Sequence, residues 1–240
     1  MSKLFSYFPK LILKRFNRTI CYCSYPITGC HFRDDLRLVV GKDDPTCFDV
    51  GAHWGETIRE YQSIFPECII HSFEPARANL DVLAKLHRPP SVHVHPFALG
   101  DENGTSEFTL YEESVLNSFL QIDEAGPKAS HQSIGTEKVK VMRLDQFAED
   151  EGVAHIDLLK LDTQGFELAV LRGADRLLCD GRVKAILLEL NFDALYQGQC
   201  RATEVMDFLQ SRGYQLVDFY QKARRGHPLS WCNGLFVRVK

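Results

Sequence analysis

The 240-residue sequence contains no run of 18 apolar residues, so it predicts no transmembrane helix. It also predicts no secretory signal peptide, because Lys14 and Arg15 directly follow the short apolar stretch at residues 11–13 and no small-residue cleavage site comes after them. The chain lacks a Pro/Gly/Ser-rich linker and any repeat with a solenoid or propeller period. These absences favour a cytoplasmic protein with one main domain.

Charge is unevenly distributed along the chain. Residues 1–42 carry eight Lys and Arg side chains and two Asp, whereas the whole chain has a net charge of −4. The remainder is therefore acidic, which argues against nucleic acid as the main ligand, because phosphate neutralisation needs a broad basic face. Residues 4–20 predict a helix that packs its apolar side on the domain. The alternative is a basic amphipathic segment, within residues 1–20, that contacts a membrane or a lipid-linked substrate.

The eight cysteines are expected to be reduced, since several of them, such as Cys47 and Cys68, lie in apolar runs typical of buried strands. A zinc site is the alternative for the group formed by Cys21, Cys23, Cys30 and His31. Their spacing matches no established zinc pattern, so this alternative is the weaker one.

From residue 46 onward, short apolar segments alternate with segments of helical period. Strands are predicted at residues 46–50, 68–73 and 91–95, with helices at 57–65 and 76–86 between them. This βαβαβ pattern is typical of a parallel sheet covered by helices.

The second half continues the alternation after an interruption. Strands are predicted at 106–110, 138–142, 156–161 and 183–190, helices at 166–178 and 203–212, and an antiparallel pair at 216–219 and 235–239. The polar stretch at 111–137 is long for a plain loop, which favours a functional role, and Asn117 and Ser118 are candidates for a substrate lid.

The first predicted strand leads into a glycine-containing turn. Gly51 and Gly55 would let the backbone approach a ligand closely, and the helix that follows offers free N–H groups to a carboxylate. A G-x-G-x-x-G dinucleotide fingerprint would need glycine where the chain has His53 and Glu56. A diphosphate would also be repelled by Asp49, whereas S-adenosylmethionine carries a sulfonium and an ammonium. The pattern therefore predicts S-adenosylmethionine rather than NAD.

An acidic residue ends the second predicted strand. Glu74 stands where a carboxylate binds the ribose diol in folds of this kind, because it can accept both hydroxyl hydrogens. The alternative is a solvated acid in front of a helix. With Asp49, Gly51 and Gly55 in register, ribose binding is the preferred interpretation.

Several motifs together resemble the FkbM-type methyltransferase family. In chain order they are Phe48-Asp49-Val50-Gly51-Ala52-His53-Trp54-Gly55-Glu56-Thr57, Ser72-Phe73-Glu74-Pro75, Phe97-Ala98-Leu99-Gly100-Asp101, Arg143-Leu144-Asp145-Gln146-Phe147, Leu158-Leu159-Lys160-Leu161-Asp162-Thr163-Gln164-Gly165-Phe166-Glu167 and Asn233-Gly234-Leu235-Phe236-Val237. Two departures stand out: His53 replaces the usual Asn, and Gln164 replaces a frequent Glu.

The resemblance implies an α/β, Rossmann-like class I methyltransferase. It implies a seven-stranded, mostly parallel sheet of order 3-2-1-4-5-7-6, with strand 7 antiparallel and helices on both faces. It also implies O-methylation of sugars on glycolipids or of glycosylated or polyketide natural products. We accordingly divide the chain into a basic, partly helical extension (residues 1–45) and a Rossmann-like domain (residues 46–240).

The motifs define two sets of candidate site residues. The cofactor set comprises Asp49, Gly51, Ala52, His53, Gly55, Thr57, Glu74, Pro75 and Ala98. The catalytic set comprises Asp162, Glu167 and Glu189, because methyl transfer to an alcohol needs a group that accepts the hydroxyl proton, and ligands bind at the carboxyl ends of the strands.

The catalytic set is ordered by position in the predicted sheet. Asp162 directly follows an apolar strand and is the first choice. For Glu167 the alternative is stabilisation of a helix N-terminus, and for Glu189 it is pairing with a buried cation such as Lys160. Nothing in their spacing demands Mg²⁺, so no metal is predicted.

The leading hypothesis is an O-methyltransferase that uses S-adenosylmethionine and a small-molecule or glycan hydroxyl. The alternatives are an NAD-dependent oxidoreductase, which the missing glycines disfavour, and a non-catalytic cofactor-binding scaffold of the same fold.

Overall fold

The computed structural model describes residue 29 and residues 31–239. The helix predicted at residues 4–20, and Cys21, Cys23 and Cys30 of the zinc alternative, lie outside the described residues. The described part contains ten strands: β1 (Thr46–Val50), β2 (Ile69–Phe73), β3 (Val92–His95), β4 (Ala98–Leu99), β5 (Gly104–Tyr111), β6 (Ser133–Met142), β7 (Ile156–Leu161), β8 (Val183–Asn191), β9 (Tyr214–Arg224) and β10 (Leu229–Arg238). It contains seven α-helices: α1 (Phe32–Val40), α2 (Glu56–Ile64), α3 (Arg77–Leu83), α4 (Leu144–Asp150), α5 (Glu167–Gly173), α6 (Asp175–Cys179) and α7 (Ala202–Ser211).

The main sheet has seven strands in the order β3-β2-β1-β7-β8-β10-β9. The five neighbouring strands β3, β2, β1, β7 and β8 are parallel to one another, whereas β10 is antiparallel to both β8 and β9. When only these seven strands are numbered along the chain, the order is 3-2-1-4-5-7-6. The predicted topology, with its antiparallel seventh strand, is confirmed.

Helices cover both faces of this sheet, because its central strands are apolar on both sides. Leu158 of β7 packs with residues of α1, α2 and α3, while its neighbour Leu159 packs with residues of α4 to α7. Side chains alternate across a strand, so a continuous apolar run supplies both cores.

A second, three-stranded sheet has the order β4-β6-β5. Strands β5 and β6 contain the strands predicted at 106–110 and 138–142, and they pair antiparallel from Gly104–Val141 to Tyr111–Ser133. The residues between them, 112–132, are called here the β5–β6 segment. This segment contributes residues to the cavity described below.

The single helix predicted at 166–178 is two helices in the structure. Helix α5 ends at Gly173 and α6 begins at Asp175. A side chain at Gly173 would collide with the carbonyl oxygen of Gly100, so the chain can come this close only with glycine there. This contact joins distant segments, and local sequence pattern does not reveal it.

Helix α1 lies within the predicted N-terminal extension. It buries Leu36 and Val40 in the same core as Cys47 of β1, and Lys184 of β8 donates a hydrogen bond to the Val40 carbonyl oxygen at 2.7 Å. The described part of residues 1–45 is thus partly helical, and α1 packs on the sheet. The division at residue 45 stays a prediction. In the described part of the chain, no helix has the length and hydropathy needed to cross a membrane.

Candidate active site

A cavity of about 460 Å³ opens where β1, β2 and β7 end. Open α/β sheets bind ligands at the carboxyl ends of their strands, so the position is the expected one. The β5–β6 segment contributes part of the wall through Ser114, Val115, Asn117 and Phe119. Of the two lid candidates in the polar stretch, Asn117 lines the cavity and Ser118 does not, and their role as a lid stays a prediction.

The turn between β1 and α2 is shaped by two glycines with positive φ. Gly51 has φ of 86° and lines the cavity, and a side chain there would collide with the Asp162 carbonyl oxygen. Gly55 has φ of 82° but packs against Leu83 and Leu86, away from the cavity. Ala52 is buried behind the turn. Of these three predicted cofactor residues, only Gly51 lines the cavity.

Glu74 lies at the end of β2 and faces the cavity, although only 4% of it is exposed. One carboxylate oxygen accepts the backbone N–H of His53 at 2.8 Å, and the other accepts the N–H of Ala76 at 2.9 Å and the Asn79 amide at 3.2 Å. Burial raises the pKa of Glu74 to about 7. The carboxylate is thus fixed in orientation, and its remaining lone pairs are available to a diol.

Asp49 is fully buried and lies behind the cavity floor instead of lining it. Its carboxylate is 3.1 Å from the Lys160 ammonium, which also donates to the Gly51 carbonyl oxygen at 3.2 Å. Burial by itself lowers the pKa of Lys160, but the carboxylates of Asp49 and Asp162 raise it above its usual value. Asp49 therefore does not line the cavity itself, but it pairs with the protonated Lys160, which does.

His53 lines the cavity and has φ of 46°, a conformation that Asn adopts more readily than most residues. Its Nε2 is 2.8 Å from the Ser114 hydroxyl oxygen, and its ring stacks on Trp54 with centroids 4.5 Å apart. The side chain thus spans from the β1–α2 turn to the β5–β6 segment. Three further predicted cofactor residues also line the cavity: Thr57, Pro75 and Ala98.

Asp162 is the catalytic candidate that lines the cavity, with 42% of its side chain exposed. Its Oδ1 accepts a hydrogen bond from Gln164 Nε2 at 2.9 Å, and its Oδ2 lies 3.6 Å from Lys160 Nζ. The carboxylate therefore has a fixed direction and unused lone pairs toward the cavity.

Glu167 and Glu189 lie close to Asp162 but do not line the cavity. Glu167 is 1% exposed, and one oxygen accepts the N–H groups of Thr163 at 2.8 Å and Gly165 at 3.3 Å. It holds the turn before α5 through residues that precede the helix, so stabilisation of the helix N-terminus itself, the alternative for this residue, stays a prediction. Burial, together with the charge of Asp162, raises the pKa of Glu189 to about 8.

The alternative for Glu189, pairing with a buried cation such as Lys160, is not observed as an ion pair between these two residues. Glu189 accepts a hydrogen bond from the Asn191 amide at 3.0 Å. The ion pairs of Lys160 are instead with Asp49 and Asp162. Within the described residues no three His, Cys, Asp or Glu side chains form a group that could hold a metal ion.

Sequence reasoning did not find several cavity residues. Trp54 donates from its indole N–H to Asn79 at 3.1 Å, which links the cavity mouth to the Glu74 network. Phe108, Phe119 and Phe166 form an aromatic wall, with ring centroids 4.9 Å and 4.7 Å apart along the series. Lys160 was visible as a cation in an apolar strand, but its partners depend on the register between β1 and β7.

The residues present fit S-adenosylmethionine. The carboxylates of Glu56, Glu74 and Asp162 line the cavity, and among the described lining residues Lys160 is the one lysine or arginine. Its charge is matched by Asp49, so the cavity favours a ligand with positive groups. The aromatic wall offers an apolar surface to a purine, and the buried carboxylate of Glu74 suits a ribose diol.

The sheet order and this cavity define a class I S-adenosylmethionine-dependent methyltransferase. The profile of the family described as "Methyltransferase FkbM domain" matches residues 49–216, most of the chain. The protein therefore belongs to the FkbM methyltransferase family. This membership favours the methyltransferase over the NAD-dependent oxidoreductase alternative.

Known relatives agree with this assignment. The chain is 26% identical over 215 residues to 2-O-methyltransferase NoeI of Sinorhizobium fredii, which covers 85% of this chain and 86% of the relative. It is 28% identical over 171 residues to 31-O-demethyl-FK506 methyltransferase FkbM of Streptomyces tacrolimicus, covering 61% of this chain and 64% of the relative. The crystal structure of methyltransferase FkbM from Methylobacillus flagellatus superposes with a TM-score of 0.51 at 18% identity, covering 81% of this chain and 44% of the other. This last similarity supports the fold.

Proposed function

We propose that this protein transfers a methyl group from S-adenosylmethionine to a hydroxyl of a sugar, a glycolipid or another glycosylated or polyketide natural product. The observation that carries the proposal is that the cofactor residues Gly51 and Glu74 share one cavity with the carboxylate of Asp162. The names of two relatives, a 2-O-methyltransferase and a 31-O-demethyl-FK506 methyltransferase, support oxygen as the acceptor atom.

In the proposed reaction the acceptor oxygen attacks the methyl carbon in line with the departing sulfur. S-adenosylmethionine supplies a methyl group on a positively charged sulfur, which is already an excellent leaving group. The O–C bond forms as the C–S bond breaks, and the hydroxyl proton passes to Asp162. The protein's task is to align the hydroxyl and to accept that proton.

The remaining candidates have supporting roles in this proposal. The Lys160 ammonium attracts one carboxylate oxygen of Asp162 toward the cavity floor. Glu167 fixes the turn that follows Asp162 through its hydrogen bond with Thr163. Glu189, whose pKa is raised to about 8 by burial, is the next group able to hold a proton. Glu74 orients the donor through its ribose, away from the reacting bond.

The test is a turnover assay with methyl-deuterated S-adenosylmethionine and a panel of sugars, alkyl glycosides, glycolipids and polyketide alcohols. We expect S-adenosylhomocysteine to accumulate and one acceptor class to gain a trideuteromethyl group on oxygen, as seen by mass spectrometry. Methylation confined to nitrogen, carbon or nucleic acid would contradict the proposal. Tight binding of S-adenosylhomocysteine without turnover on any acceptor would favour the non-catalytic scaffold.

A further inference from the structure

Gln164 occupies a strained position directly after the proposed catalytic residue. Its φ is 53°, which is uncommon for a residue other than glycine and costs on the order of 1 kcal/mol or more. Such a conformation persists when surrounding contacts hold it in place. The Gln164 backbone carbonyl accepts a hydrogen bond from Ser118 of the β5–β6 segment at 2.8 Å. The side chain makes further contacts that explain why a strained residue is kept at the cavity.

The side-chain amide of Gln164 has one orientation that satisfies its neighbours. Its oxygen lies 2.9 Å from the Tyr196 hydroxyl and 3.3 Å from Lys128 Nζ. A lysine ammonium can only donate, so the Gln164 oxygen must face Lys128. The amide nitrogen then faces Asp162 Oδ1, 2.9 Å away, and donates to it. The donor to Asp162 is therefore fixed by two residues from other parts of the chain.

Those two residues belong to two different segments, neither of which is part of β7 or of the turn that bears Asp162 and Gln164. Lys128 lies in the β5–β6 segment, and Tyr196 lies between β8 and α7. The segments are also joined by a backbone hydrogen bond from Asp123 to Leu195 at 3.0 Å and by packing of Ile122 on Tyr196. Lys128 is 5.2 Å from the centre of the Tyr196 ring. Gln164 is thus the link between this joined unit and Asp162.

We propose that Gln164 is a positioning residue for Asp162: its side-chain amide holds the carboxylate toward the cavity and joins it to the segments that bear Lys128 and Tyr196. Its contribution to turnover rests on the proposed function of Asp162, whereas its effect on the ionisation of Asp162 does not. A carboxylate at position 164 would lie against the Asp162 oxygen that now accepts the amide N–H. Two negative charges at this distance repel each other, so the pair would hold a proton more readily.

The charged groups around Asp162 determine the direction in which a new charge at position 164 would change its protonation. The acidic neighbours are Asp49 of β1, Glu167 of α5 and Glu189 of β8, and the basic neighbours are Lys160 of β7 and Lys128 of the β5–β6 segment. The Tyr196 hydroxyl also faces this group. A Gln164→Glu change adds one negative charge to this set and replaces the donor to Asp162, and both effects favour protonation of the pair.

The experiment is a pH titration of carboxyl carbons by NMR in protein labelled at aspartate Cγ, with the Asp162 signal assigned by its loss in Asp162→Asn. In Gln164→Glu we expect the titration midpoint of that signal to move up by about one pH unit or more, as for two carboxylates that share a site. The matched control is Gln146→Glu, since the Gln146 amide donates to Asp150 at 2.7 Å on the exposed surface of α4. In this control the Asp162 signal should keep its midpoint.

A second variant keeps the inference testable if Gln164→Glu does not fold. Gln164→Asn tolerates positive φ but is one carbon too short to reach Asp162, Lys128 and Tyr196 together. Its Asp162 midpoint should rise by a smaller amount, with S-adenosylhomocysteine binding retained. An Asp162 midpoint in the variants equal to that of the unmodified protein would overturn the inference. A shifted midpoint in a protein that methylates no hydroxyl would uphold the role of Gln164 and reject the proposed function.

Discussion

Lys160 and Asp49 form a buried ion pair, with 3.1 Å between Nζ and Oδ1, on two neighbouring parallel strands at the cavity floor. The lysine side chain is 12% exposed and the aspartate is fully buried. The pair joins β1 to β7 at the point where both strands end, and the same ammonium lies 3.6 Å from Asp162. The cofactor turn and the proposed catalytic residue therefore depend on one cation.

Removal of that cation should strongly destabilise the fold. In Lys160→Met, Asp49 would be left as an uncompensated buried charge, which costs about 3–5 kcal/mol. Chemical denaturation should show this loss in the free energy of unfolding. The double variant Asp49→Asn/Lys160→Met should recover much of it, because no unpaired charge remains. Equal stability of the single and the double variant would contradict the assigned pairing.

Glu74→Ala should weaken the binding of S-adenosylhomocysteine by about 1.5–3 kcal/mol, measured by titration calorimetry, because the hydrogen bonds between the diol and a buried acidic side chain are lost. Glu74→Gln should lose less, since one oxygen remains as acceptor for its backbone neighbours. Glu67→Ala, on the exposed surface after α2, is the control and should bind normally. Unchanged affinity in Glu74→Ala would remove this residue from the cofactor site.

Gly51→Val should affect both the fold and the binding of the cofactor. The new side chain would meet the Asp162 carbonyl oxygen, at a residue whose φ is 86°. We therefore expect a loss of stability, of about 1–3 kcal/mol or more, together with loss of binding. Thermal denaturation should show it. Gly104→Ala, where a side chain would meet nothing within 4 Å, should leave the melting temperature nearly unchanged.

The elements that carry the cavity are predictable because each has its own apolar period. Strand β7 was predicted with its observed bounds, Ile156–Leu161, and β1 with its observed bounds, Thr46–Val50. The directions of the side chains at the ends of these strands could not be predicted from the sequence. Asp49 contacts the buried Lys160 because the register between β1 and β7 places the two residues side by side. The Glu167 side chain accepts a hydrogen bond from the backbone N–H of Thr163, four residues earlier in the chain. Both outcomes depend on contacts that no single segment encodes.

The contacts of Lys128 and Tyr196 with Gln164 were the least predictable part of the site. Lys128 and Tyr196 lie in irregular segments without helical or strand period, so nothing local places them beside Gln164. The length of the polar stretch alone predicted a functional role, which stays a prediction. Its docking against the residues after β8 arises from the small apolar cluster of Ile122, Leu195 and Tyr196.

The histidine pair on β2 and β3 predicts a specific pH dependence of stability. His71 Nδ1 and His95 Nε2 are 3.1 Å apart, and burial together with neighbouring histidines lowers the pKa of both to about 4. Between pH 6.5 and 4 the unfolded chain binds more protons at these sites than the folded one, so stability falls as the pH falls through this window.

His71→Phe should flatten that dependence, because it removes one titrating group and keeps a ring near Phe48 and Phe147. The free energy of unfolding should be measured by denaturant titration across the window. His87→Phe, at an exposed position, should leave the slope as it is in the unmodified protein. A slope unaffected by His71→Phe would mean that other groups cause the loss of stability in acid.

The last prediction concerns Asp162→Asn. This change keeps the shape of the side chain and removes its capacity to accept a proton, while the cofactor contacts of Gly51 and Glu74 are untouched. General-base assistance is worth roughly 10²–10⁴-fold in rate, so kcat should fall by about that factor and S-adenosylhomocysteine should bind as before. The control is Asp180→Asn, an exposed residue after α6 that precedes the amino end of β8 and does not line the cavity, which should keep full turnover. If Asp162→Asn turns over normally on the acceptor found in the panel, the proton is accepted elsewhere. Glu189, with its pKa raised to about 8 by burial, is then the residue to change.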